Sequence, residues 1–124
     1  MPAISTVAED RTHLIHTVIG NHTAAMQREA APQLFALMHQ TGIPKVLIDA
    51  WAQQEVLPTL DAIDLWEHFA PRVPRGAQFA VLVNWPLNGH PFTETVAVNR
   101  GISVRYFNDY DQALAWLGVK PDDR

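Results

Sequence analysis

The chain has 124 residues, of which 48% are hydrophobic and 18% charged, with a formal net charge of −4. That balance predicts one globular domain with a real core. With no cysteine there are no disulfides, no thiolate catalysis and no Cys-ligated metals, and the nine basic residues form no cluster long enough to track a nucleic-acid backbone.

The longest uninterrupted apolar run, Phe79 to Val83, is far short of a membrane span. Met1-Pro2-Ala3-Ile4 has no basic region followed by an apolar core, so the expectation is a cytoplasmic protein. Ile4 to Val7 and Leu14 to Ile19 read as two strands joined by the polar turn Glu9-Asp10-Arg11-Thr12, an N-terminal hairpin. On the second strand His16 shares a face with Leu14 and Val18, and is expected to be half-buried and hydrogen-bonded locally.

Thr23 caps the next predicted helix, whose apolar stripe is Met26, Ala30, Leu34, Leu37 and Met38. Pro32 falls inside it. A mid-helix proline removes one hydrogen bond and clashes with the carbonyl four residues back, at a cost of about 3 kcal/mol. The stripe keeps its phase across Pro32, which predicts one kinked helix ending at Gly42. Val46-Leu47-Ile48 then reads as a central strand covered on both faces, stopping on Asp49.

Trp51 to Pro58 reads as a loop, and Thr59 as the cap of a second helix that turns Leu60, Ile63, Trp66 and Phe69 inward. After the break at Pro71 to Gly76, Phe79 to Val83 is the second buried strand, ending on Asn84-Trp85. Pro86 to Pro91 reads as a loop, Phe92 to Asn99 as a short helix and Ile102 to Phe107 as the last strand. Asp109 and Gln112 have capping-box spacing before a final helix with Tyr110, Ala113, Leu114 and Leu117 as its buried stripe. Trp116 flanks that stripe and Gly118 ends the helix. Strands alternating with helices predict a single α/β domain over residues 1–120, a hairpin leading into a mainly parallel sheet of four to five strands, followed by a polar tail, 121–124.

Several of these segments together resemble STAS domains, in particular the sporulation stage II AA-like bacterial proteins, a group also likened to the CRAL-TRIO lipid-binding fold. The match is carried by Val46-Leu47-Ile48-Asp49, Ala80-Val81-Leu82-Val83, Asn99-Arg100-Gly101, Val104-Arg105-Tyr106-Phe107 and Ala113-Leu114-Ala115-Trp116-Leu117. The resemblance implies the fold and a bacterial binding or regulatory module. In STAS antagonists that exchange partners with kinases, a phosphorylatable Ser or Thr opens the helix after the corresponding buried strand. Here Asp49-Ala50-Trp51-Ala52-Gln53-Gln54 contains no hydroxyl, so no phosphorylation site is expected.

Catalytic and metal patterns are weak. No pair among the six histidines has the i, i+4 helical spacing that chelates zinc, and His13 and His16 are expected on opposite faces of a strand. Neither serine, Ser5 or Ser103, sits in a nucleophile elbow, and the scattered glycines form no phosphate loop, so no cofactor is expected. One constellation stands out. In a parallel sheet Asn21/His22, Asp49/Trp51, Asn84/Trp85 and Asn108/Asp109 all fall at carboxyl ends of strands, where α/β sheets bind ligands.

Indoles with a few polar anchors suit a small, partly apolar ligand or a protein partner. The expected site is Asp49, Trp51, Asn84, Trp85 and His90. The leading reading is a non-catalytic binding module. An enzyme using Asp49 or His90 as a base is one alternative, and a self-associating structural domain, such as a homodimer, is the other.

Overall fold

The computed structural model describes residues 3–20, 23–53, 59–84 and 103–119, with the side chains of 24 and 59–63 outside that description. Five strands form one sheet: β1 (Ala3–Val7), β2 (Leu14–Val18), β3 (Lys45–Asp49), β4 (Gln78–Leu82) and β5 (Ser103–Phe107). They lie side by side in chain order. β1 pairs antiparallel with β2, and every later pair is parallel. This is the expected hairpin-led, mainly parallel α/β domain, at the upper end of the expected strand count.

Among the described residues three α-helices flank the sheet: α1 (Ala24–Thr41), α2 (Thr59–Phe69), followed by a 3-10 turn (Ala70–Arg72), and α3 (Tyr110–Leu117). Their ends follow from the residues there. Thr23 Oγ1 accepts the Met26 N–H at 3.2 Å, and Asp109 Oδ1 accepts the Gln112 N–H at 3.0 Å. Gly42 and Gly118 close α1 and α3 at φ 71° and 74°, left-handed conformations that glycine adopts without steric cost. α1 runs unbroken through Pro32, which lies exposed on its solvent side. The helix expected at Phe92 to Asn99, and the tail at 121–124, lie outside the described residues.

Alternation along the strands sends side chains to two cores. One face carries Leu14, Val18, Val46, Phe79, Val81 and Val104 against α1 and α2. The other carries Leu47, Ala80, Leu82 and Phe107 against Ala113, Leu114 and Leu117 of α3. Leu47 and Leu82 are both buried, as central strands require. Of the expected helix stripes, Leu34, Met38, Trp66, Phe69, Leu114 and Leu117 are buried. Ala31, Phe35 and Leu65 are buried core residues that the sequence spacing did not single out. Tyr110, expected in the buried stripe of α3, is 42% exposed. It occupies the first position of that helix, a turn short of where α3 settles on the sheet.

Candidate functional site

The parallel strands β2 to β5 bring their carboxyl ends to one edge. There Asp49, the last residue of β3, pairs with Leu82 of β4, and Leu82 pairs with Phe107 of β5. Ala50 N–H continues the ladder to the Leu82 carbonyl at 2.9 Å, and Val83 N–H to the Phe107 carbonyl at 2.8 Å. Asp49 Oδ1 accepts the Trp51 N–H at 3.1 Å, a bond to the backbone two residues on that fixes the turn leaving the sheet.

Trp51 is 46% exposed and Asn84 is exposed beyond β4. Three of the expected site residues, Asp49, Trp51 and Asn84, therefore leave the sheet at the same edge. Trp85 and His90 lie outside the described residues, as do Asn21 and His22. Asp49 shares the α3 face of β3 with Leu47, whereas Ile48 and Ala50 face α1 and α2.

On that second face, beneath the same edge, lies a cavity of about 100 Å³. Its floor is sheet: His16, Val18, Ile48, Val81, Val83 and Tyr106. Its roof is helix: Ala31, Leu34 and Phe35 of α1, and Leu65, Trp66 and Phe69 of α2. Aromatic rings set its shape. Phe35 meets Phe69 edge-on with centroids 5.5 Å apart, Trp66 meets Phe69 edge-on at 6.1 Å, and Trp66 is tilted over Phe79 at 5.5 Å.

Polar groups reach the wall at a few points. His16 is 7% exposed and Gln53 4%. Ser5 and His16 are register partners across β1 and β2, and Ser5 Oγ lies 2.7 Å from His16 Nδ1. This is the local hydrogen bond expected for His16, with the residue more deeply buried than half. Gln27 Nε2 donates to Gln53 Oε1 at 3.4 Å, and Trp66 Nε1 donates to the Tyr106 hydroxyl at 3.1 Å. Neither the cavity nor the part Gln27, Gln53, Trp66 and Tyr106 take in it was read from the sequence. The one available signal was His16, a polar residue on an otherwise apolar strand face.

His13 behaves differently. It precedes β2 in the hairpin turn rather than standing on the strand, which corrects the expectation that it and His16 face opposite sides of one strand. It is 5% exposed, with Nδ1 2.9 Å from Thr12 Oγ1 and a buried Nε2 that has no hydrogen-bond partner among the described residues. Burial pushes its pKa below the ordinary histidine value, while the nearby Asp10 carboxylate acts the other way. Asp10 is itself held low by hydrogen bonds from the Thr12 hydroxyl and backbone N–H.

No known family model matches the chain, and no curated protein does. Solved structures do. One is an uncharacterised DUF3478-family protein with a SpoIIAA-like fold from Shewanella loihica, at a TM-score of 0.58 and 20% identity, over 93% of this chain and 91% of that one. Another is an anti-sigma factor antagonist from Mycobacterium paratuberculosis, at a TM-score of 0.60 and 16% identity, over 94% of each chain.

The chain has a SpoIIAA-like fold. At these identities the likeness is one of fold, and it spans nearly the whole chain. On this SpoIIAA-like scaffold the segment that leaves β3, Ala50-Trp51-Ala52-Gln53, carries no hydroxyl. It is held by the Asp49–Trp51 bond and by Gln53 N–H donating to the Ala50 carbonyl at 3.0 Å. Among the described residues no helix is long and apolar enough to cross a membrane, and no three His, Asp or Glu side chains are grouped to hold a metal.

Proposed function

We propose that this SpoIIAA-like domain is a non-catalytic regulatory module that recognises a protein partner, or a small partly apolar ligand, at the carboxyl edge of its sheet. Asp49, Trp51, Asn84, Trp85 and His90 are the contact residues in this reading. One observation carries it most: an indole left 46% exposed on a turn pinned by Asp49, at the edge where α/β sheets bind ligands. An exposed tryptophan combines a large apolar face with one N–H donor and is enriched at interface hot spots. The likeness to an anti-sigma factor antagonist supports a protein as the partner.

Ala50 to Gln53 offers no phosphate acceptor, so partner exchange here does not run through phosphorylation of that segment. Incubation with an anti-sigma kinase from the source organism should leave the protein unphosphorylated by mass spectrometry. Quantitative affinity capture from the same organism tests the edge itself. The full chain should retain a specific protein that Trp51→Ala and Asn84→Ala lose, while Ile4→Ser, an exposed apolar position on β1, retains it. Equal retention by all the variants would contradict the assignment of the edge.

A further inference from the structure

The cavity between the sheet and helices α1 and α2 is separate from the edge residues and makes its own demand for a function. Native interiors pack to crystal-like density and contain few voids larger than a water molecule. A pocket of about 100 Å³ let into that core, partly open to solvent, is therefore a feature to be explained. We infer that it is a binding site for a small, neutral, single-ring aromatic molecule carrying one hydrogen-bonding group, of the phenol kind.

Size sets the first limit. An engineered cavity of about 150 Å³ lined by Leu, Ile and Phe stays dry and takes up benzene. The space here is somewhat smaller and partly open to solvent, so it houses a single ring, and a fused ring or a long acyl chain would leave part of itself uncovered. Shape sets the second. Phe35, Phe69, Trp66 and Phe79 meet edge-on or tilted, and rings arranged this way present both edges and faces to a flat guest.

Charge sets the third. The described lining contains no Lys, Arg, Asp or Glu, and an ion placed among these walls without a counter-charge would be strongly disfavoured. The polar anchor is the Gln27–Gln53 pair. At 3.4 Å it stands near the outer limit of hydrogen bonding, with Gln53 buried at the carboxyl-edge end of the cavity. A phenolic hydroxyl both donates and accepts, so it can bridge these two amides.

The test is a titration of the full chain with phenol, benzene and benzoate, followed by methyl NMR. Phenol should produce saturable shifts at Leu34, Ile48 and Val81, with none at Leu47, Leu82 or Leu114 on the opposite face of the sheet. Its dissociation constant should be about 1 mM or tighter, within the ceiling for so small a ligand. Benzoate should bind at least about tenfold more weakly, because its charge finds no partner.

Gln27→Met should weaken phenol binding and leave benzene binding unchanged. Ala31→Leu fills the space from α1 and should abolish binding of both, and Ala50→Val repeats the test from the sheet side should the first variant not fold. Absence of saturation, shifts of equal size on both faces, benzoate binding as well as phenol, or undiminished binding to a folded filled variant would each overturn the assignment. None of these outcomes depends on whether the edge residues bind a partner.

Discussion

The two faces of the sheet are made by alternate residues of the same strands, yet they are packed in different ways. Toward α3, Leu47, Ala80 and Leu82 meet Ala113, Leu114 and Leu117, and Ala80 and Ala113 are fully buried. Small residues let the helix approach closely, and leucines fill the remaining space. Toward α1 and α2 the core is built from Phe35, Trp66, Phe69 and Phe79. Flat rings with fixed planes fill space less adaptably than branched aliphatics, and on this side a cavity of about 100 Å³ is left. Neighbouring residues of one strand thus serve different ends: Leu47 holds α3 down while Ile48 floors the cavity. The comparison teaches that stability and binding can be separated in a domain this small by the strand's own period of two.

The largest effect should come from hollowing the packed face. Leu47→Ala or Leu114→Ala should cost about 2–5 kcal/mol in urea unfolding, since each deletes a fully buried side chain where little can collapse to replace it. A loss below about 1 kcal/mol would mean that this face is not the tighter one. Filling the two faces sharpens the contrast. Ala113→Leu should destabilise by about 1–3 kcal/mol through overpacking. Ala31→Leu, placed over the cavity, should be neutral or stabilising in the same experiment.

The packed face was the more legible one in the sequence. Leu47, Ala80 and Leu82 fall inside the uninterrupted apolar runs Val46 to Ile48 and Phe79 to Val83, the pattern of strands covered on both sides, and Asp109 and Gly118 mark both ends of α3 with Ala113, Leu114 and Leu117 between them. The order of elements follows from the same signals. The cavity was not legible, because it depends on which side of α1 and α2 faces the sheet. Helical spacing placed Leu34, Met38, Trp66 and Phe69 inward, as they are found, but it did not include Ala31, Phe35 and Leu65, which complete that side. Tyr110 was misplaced for a similar reason, since periodicity does not say where a helix first touches the sheet. At the edge, Asp49 and Trp51 were legible as strand-end residues, but the bond between them, which makes the carboxylate a turn anchor, was not.

Smaller effects test the regions outside the two cores. Trp51→Ala should change stability by less than about 1 kcal/mol, an order expected for a half-exposed residue away from the core. Destabilisation as severe as that of Leu47→Ala would make the indole a core residue and remove the edge from consideration. His13 gives a pH dependence. Its folded pKa is lowered, so below its ordinary value of 6.5 the unfolded chain takes up a proton that the folded chain resists. Its contribution is therefore fully present above that value and is lost as pH falls toward the folded pKa. Stability should decline more steeply between about pH 7 and about pH 5.5 in the native protein than in His13→Gln. Identical profiles would show that the buried imidazole of the hairpin does not couple to folding.

The difference between the two faces can be read most directly by diffraction from crystals of the protein under xenon pressure. Xenon enters apolar cavities of this size without needing a polar anchor. The expected result is ordered xenon among Phe35, Trp66 and Val81, with none between Leu47 and Leu114. Crystals with no xenon in the aromatic cavity, or with equal occupancy on the α3 side, would contradict the account.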